Sequence, residues 1–158
     1  MPSLSPGTPG AKEAYGISVL REDNTIRIPP KAFSRYNLRD NDLILLTSTR
    51  KGECGFAILN IEKAKKSVFN KILEKIDAID TPVRVNSRPY AITRTKNGSI
   101  TFNDDLLKAF ELKPGERFIV IKSTTVAMSF SPVVILMAKL RSHGFFEAVK
   151  NIDKLEVF

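Results

Sequence analysis

The chain has 158 residues, 42% of them hydrophobic and 27% charged, which is enough to bury a core without disulfides or metals. Its one cysteine, Cys54, excludes an internal disulfide and a multi-cysteine metal cluster, and suits a reducing, cytoplasmic setting. The formal net charge of +8 favours an anionic partner, nucleic acid first. The excess is spread: +2 over 1–60, +3 over 61–88, +2 over 89–132 and +1 over 133–158. No run of consecutive Lys and Arg resembles a nucleic-acid tail.

Residues 1–14 begin with MPSLSPGTPG, a Pro, Gly and Ser composition that predicts a disordered leader without the basic start and apolar centre of a signal peptide. Ile17 and Val19 then alternate along a strand ending at Asp23-Asn24. Thr25 to Pro29 is a return strand, with Ile26 and Ile28 on one face and Thr25 and Arg27 on the other. Pro30 opens a short helix with Ala32, Phe33 and Tyr36 as its apolar stripe. A polar turn over 38–42 precedes a strand from Leu43 to Thr47. Lys51-Gly52-Glu53 turns into a last strand, Gly55 to Leu59.

Ile61, Ala64, Val68, Ile72, Ile76 and Ile79 recur at helical spacing, so 60–79 is expected to be one long amphipathic helix stopped at Asp80-Thr81-Pro82. Tyr90 to Thr95 and Ser99 to Phe102 make a second hairpin around Asn97-Gly98, a strong turn pair. Asn103 caps a helix from Asp104 to Phe110. Lys113-Pro114-Gly115-Glu116 is a turn, and Arg117 to Lys122 with Val126 to Phe130 form a final hairpin. Pro132 opens a helix to about Val149 with a weak point at Gly144. Its first residues, VVILMA, are apolar nearly all round and are expected to be buried. They stop at Lys139, far short of the ~20 residues a membrane span needs. Lys154 to Phe158 reads as a short strand or frayed end.

The stretch TIRIPPKAFSRYNLRDNDLILL recurs as SITFNDDLLKAFELKPGERFIV at an offset of 74. Ile26 falls on Ile100, Ile28 on Phe102, Phe33 on Leu107, Tyr36 on Phe110, Leu38 on Leu112 and Ile44 on Phe118. Each copy is a β-β-α-β-β unit too small to bury a core alone, so the two are expected to share one. The organisation is then a leader (1–14), repeat one (15–59), an amphipathic helix and linker (60–88), repeat two (89–131), and a C-terminal helix and tail (132–158).

This pattern resembles the AbrB/SpoVT/MraZ swapped-hairpin family. Copy one carries Ile26, Ile28, Pro29 and Leu38 at the family spacing, and copy two carries its Lys-Pro-Gly-Glu tetrapeptide at 113–116. The resemblance implies an α+β chain whose repeats interdigitate into one pseudo-twofold β-barrel, and a transcription regulator that binds duplex DNA. Two departures stand out. Thr25 and Ser99 occupy positions where such proteins place arginine. On the short helix only Lys108 keeps a charge among Phe33, Ser34, Leu107 and Lys108.

The cations expected to meet DNA are Arg21, Arg27, Lys31, Arg35 and Arg39 in copy one, with Arg94, Lys96, Lys108 and Lys113 in copy two. The alternative is a protein-interaction or antitoxin-like module that has lost the DNA arginines. The apolar helices suggest a homodimer, with Val68, Ile72, Ile76, Leu136 or Leu140 at or beneath the interface. Catalysis lacks a constellation: His143, the one histidine, has no evident orienting partner, and Cys54 reads as a bystander at a turn. No cofactor or metal motif is present.

Overall fold

A computed structural model describes residues 14–49, 55–152 and 154–158. Residues 1–13 of the expected leader, the Lys51-Gly52-Glu53 turn and Cys54 lie outside them. Ala14, the last expected leader residue, instead opens the first strand.

In copy one, β1 (Ala14–Val19) and β2 (Thr25–Arg27) lead into α1 (Pro30–Arg35), then β3 (Leu43–Ser48) and β4 (Phe56–Asn60). In copy two the same order is β6 (Arg88–Arg94), β7 (Ser99–Thr101), α4 (Asp104–Ala109), β8 (Arg117–Lys122) and β9 (Ala127–Pro132). Between them lie α2 (Ile61–Lys65), α3 (Asn70–Leu73) and β5 (Val83–Val85), and α5 (Val133–Ser142) and α6 (Phe146–Ile152) follow β9. The chain is α+β, and the ladders between these strands, among the described residues, are antiparallel.

The local causes are visible in the sequence. Pro30 sits at the start of α1, where its missing N–H is no loss. Asn103 caps α4 by accepting the Leu106 N–H at 2.8 Å, and Asp104 and Asp105 occupy its first turn. Asn97 (φ 51°) and Gly98 (φ 72°) both take the left-handed backbone of a two-residue hairpin turn.

The strands pair across the copies. The seven-stranded sheet runs β1-β8-β9-β4-β3-β6-β5, and β2 pairs with β7 in a separate ribbon. Each copy's first strand therefore lies on the other copy's third: Ile17 opposes Ile119 and Ile92 opposes Leu45. Loop lengths make small differences between the copies. Copy one's first turn closes Arg21 N–H onto Thr25 O around three residues, and copy two's closes Lys96 onto Ser99 around two. The offset is thus 75 before that turn, 74 through the helix and third strand, and 72 after the second hairpin, where Asn60 and Pro132 are the equivalent caps of α2 and α5. Ile26 opposes Ile100 and Ala57 opposes Ser129. Each of these pairs consists of equivalent residues, so a pseudo-twofold axis passes between them.

The shared core follows. Ile26, Ile28, Ala32, Tyr36, Leu38 and Ile44 and their equivalents Ile100, Phe102, Leu106, Phe110, Leu112 and Phe118 are all buried in one cluster. Phe56 sits at its centre, stacked on Phe130 at 4.6 Å and edge-on to Phe102 and Phe118 at 5.4 and 5.6 Å. On the other face of the sheet, α2 and α3 cover Leu45, Leu59, Tyr90 and Ala127, while α5 and α6 cover Ile17, Ile119 and Ile121. Both faces of β3 are therefore buried, which is why its LILLT run does not alternate.

Two expectations need correction. The 60–79 helix is broken: Ser67 Oγ donates to Ala64 O at 2.8 Å and accepts the Phe69 N–H at 3.1 Å, ending α2 as a side-chain hydroxyl competes for backbone groups. The VVILMA segment is not buried all round, since Val133 is 7% exposed but Val134 80%. A ten-residue helix on a sheet covers one face only. It ends at His143, and Gly144 (φ 74°) separates it from α6, at the expected weak point. The ladders among the described residues close no barrel. The outer edge of β6 bonds β5. The outer edge of β1 bonds the C-terminal tail, where Phe158 N–H donates to Ile17 O at 2.7 Å and Ile17 N–H to Glu156 O at 2.8 Å. Neither edge is left to join the β2–β7 ribbon. Gly16 (φ 142°) makes the tail contact possible, because a Cβ there would lie 2.7 Å from the Phe158 ring.

The packing predicts a sharp contrast in stability. Phe56→Ala should cost about 3–5 kcal/mol in urea unfolding, as for other buried aromatic truncations. Val134→Ala, on the exposed side of α5, should cost less than about 0.5 kcal/mol. Similar losses at both sites would contradict the assignment of the core.

Candidate nucleic-acid interface

The β2–β7 ribbon turns Ile26 and Ile100 inward, and its outer face carries Arg27 opposite Ser99 and Thr25 opposite Thr101. All nine sequence-derived cations are exposed. Arg27 lies beneath the tail, its guanidinium carbon 5.9 Å from the Phe158 ring centre, within cation–π range.

The turns after the short helices are built alike. Arg39 N–H donates to Asp42 Oδ2 at 2.9 Å, and at the equivalent place Lys113 N–H donates to Glu116 Oε1 at 2.6 Å. Each turn is stitched to the opposite copy's first hairpin. Gly115 N–H donates to Leu20 O at 2.6 Å and Leu20 N–H to Glu116 O at 2.9 Å. The equivalent bonds are Asn41 N–H to Thr95 O at 2.9 Å and Thr95 N–H to Asp42 O at 3.0 Å. Two further bonds fix the second junction: Gly98 N–H donates to Asp40 Oδ1 at 3.0 Å, and Arg94 Nη1 to Asn41 O at 2.8 Å.

These crossings regroup the cations. The turn that carries Lys113 is bonded to Leu20, next to Arg21, and the turn that carries Arg39 is bonded to Thr95, between Arg94 and Lys96. The clusters thus mix the copies, where sequence order had kept them apart. Arg117 completes the first group. It is exposed and opposes Val19 in the β1–β8 ladder, as Arg94 opposes Leu43 in β6–β3. No local signal marks it, because its neighbourhood exists only once the strands pair across copies. Lys31 and Arg35 share one face of α1 at a spacing of four, and Lys108 lies on α4.

Four acids in this region, Asp23, Asp40, Asp42 and Glu116, accept backbone N–H bonds at the turns. Asp23 accepts the Thr25 hydroxyl at 2.7 Å and the Thr25 N–H at 3.1 Å. These bonds, with Arg21 nearby, hold its carboxyl below the ordinary aspartate value.

His143 is exposed at the end of α5, edge-on to Phe145 at 6.3 Å. No group of three His, Cys, Asp or Glu is placed to hold a metal among the described residues. No helix of the described residues is long and apolar enough to cross a membrane. No protein-family model, curated protein or solved structure matches the chain.

The Asp23 geometry carries its own pH test. A carboxyl with a lowered folded-state pKa adds stability that is present above its unfolded pKa and lost as pH falls through the lowered value. In Thr25→Ala the carbon-detected NMR titration of Asp23 should move up toward the ordinary aspartate midpoint. An unchanged midpoint would mean that the hydroxyl does not hold the carboxylate.

Proposed function

We propose that the chain is a duplex-DNA-binding regulator built on the swapped-hairpin arrangement of the AbrB-like proteins. The observation that carries this reading is the placement of two cation groups, Arg21, Lys113 and Arg117 at one junction and Arg39, Arg94 and Lys96 at the other, on the turns and strand ends where each copy's turn is bonded to the other copy's first hairpin, with Arg27 on the ribbon that follows. Phosphate contacts need well-placed point charges rather than particular residues. Thr25 and Ser99 therefore move the expected contacts from the ribbon's first positions to Arg27 and the turns. The exchange of first strands between the copies supports the swapped-hairpin arrangement, with the β2–β7 ribbon over the open side of the shared core.

A second reading, a protein-interaction module that works as a homodimer, is favoured by exposed apolar side chains outside the ribbon. Val68 is 86% exposed, Val134 80% and Phe146 62%. Of the residues expected at that interface, Leu140 is buried within its own chain, and Ile72, Ile76 and Leu136 pack against their own sheet. Val68 alone of that set is open to a partner.

Fluorescence anisotropy on a labelled duplex separates the two readings. If six phosphates are contacted, affinity should fall roughly a thousandfold between about 50 and 200 mM salt, at a slope of about −0.9 per contact. Absence of binding at the lower salt, with a dimer mass by light scattering, would overturn the DNA reading in favour of the second.

A further inference from the structure

The pseudo-twofold axis relates two surfaces of unequal charge. From β2 through α1 to the following turn, cations recur every four residues: Arg27, Lys31, Arg35 and Arg39. All four are exposed. The equivalent positions of copy two, at the constant offset of 74, are Thr101, Asp105, Ala109 and Lys113. Residues 27–39 contain no acid, whereas residues 101–113 contain Asp104, Asp105 and Glu111. The backbones superpose in plan: Ile28 N–H donates to Gly98 O and Phe102 N–H to Asn24 O, each at 2.9 Å, and the two rows flank the same ribbon.

A row of four positive charges, with no acid between them in the sequence, is related by the axis to a row whose charges cancel at the same places, Asp105 against Lys113, and which is net acidic over its length. Two like surfaces would hold a polyanion centred on the axis. Two unlike surfaces hold it off-centre, since potential at a low-dielectric surface is set by the local sum of charges within about a Debye length, ~8 Å at physiological salt. The turn groups at the two ends of the ribbon are nearly balanced, so the helices decide the direction of the offset. Lys31 and Arg35 lie on one face of α1, with no acid in that helix. In α4 the two first-turn aspartates oppose Lys108.

We infer that the duplex lies off the pseudo-twofold axis, along the Arg27–Lys31–Arg35–Arg39 row of copy one, and that the preferred DNA site is correspondingly non-palindromic. This rests on the DNA-binding reading above. The fold stays symmetric in its core pairs while the surface has diverged, so a two-fold scaffold recognises a site without two-fold symmetry.

Two double variants of equal charge change test it, both at exposed positions. Lys31→Gln with Arg35→Gln should weaken binding to a labelled duplex by about tenfold or more at moderate salt and reduce the salt slope by about 2, one contact for each cation. Lys108→Gln with Lys113→Gln removes the same two charges and should weaken binding by only about threefold and reduce the slope by about 1, the one contact being that of Lys113 at the turn junction. Equal losses from the two pairs, or a larger loss from the copy-two pair, would overturn the offset while leaving DNA binding intact. Failure of the unmodified chain to bind duplex at low salt would instead remove the DNA-binding reading, and the offset with it.

Discussion

Neither repeat can complete its own sheet. The first strand of each copy is hydrogen-bonded to the third strand of the other, β1 on β8 and β6 on β3, and everything else depends on that exchange. It brings six apolar positions of copy one and their six equivalents into one buried cluster. It also bonds the backbone N–H and C=O of Leu20 and of Thr95 to the opposite copy's turn. A buried backbone donor without a partner costs free energy comparable to a lost hydrogen bond, so the two turns cannot separate from the two hairpins without loss at both junctions. Tyr36 adds a further tie, its hydroxyl 2.9 Å from the carbonyl oxygens of Thr124 and Ala127 in the other copy.

The segments between and after the repeats complete the sheet. After β4, the α2–α3 pair covers the outer face and β5 seals the free edge of β6. After β9, the α5–α6 pair covers its own stretch of that face and the tail seals the free edge of β1. The true repeating unit is therefore longer than the β-β-α-β-β pattern. Each copy ends in a helical cover and a strand that protects an edge otherwise open to pairing with another chain. The strands run in opposite senses, β5 antiparallel to β6 and the tail parallel to β1, so the second half of the unit keeps the role but not the geometry.

Much of this was legible in the residues. The alternation of Ile26 and Ile28, repeated at Ile100 and Phe102, marked the ribbon and its inner face. Asn97-Gly98 marked a two-residue turn and Asn103 a helix cap. What periodicity does not carry is the identity of a strand's partner. Nothing in β1 alone says that it lies on β8, so the mixing of Arg21 with Lys113, and the place of Arg117, appear only in the folded chain. The α2–α3 break was hidden for a different reason. Ile61, Ala64, Val68, Ile72 and Ile76 keep helical spacing, yet one hydroxyl, Ser67 Oγ, outcompetes the backbone and turns Val68 out to 86% exposure. The apolar start of α5 misled because hydrophobicity read without neighbours says how much could be buried, not how much sheet is there to bury it.

The central claim, that two small units stand only by exchanging strands, is tested most directly by native-state hydrogen exchange on the intact chain. Amides of β1 and β3, from copy one, and of β6 and β8, from copy two, should exchange from a single opening with one common free energy and one common dependence on denaturant, as expected for one cooperative unit. Exchange of the copy-one strands at a clearly lower free energy than the copy-two strands, with the latter still protected, would show that one repeat survives without the other and would contradict the account.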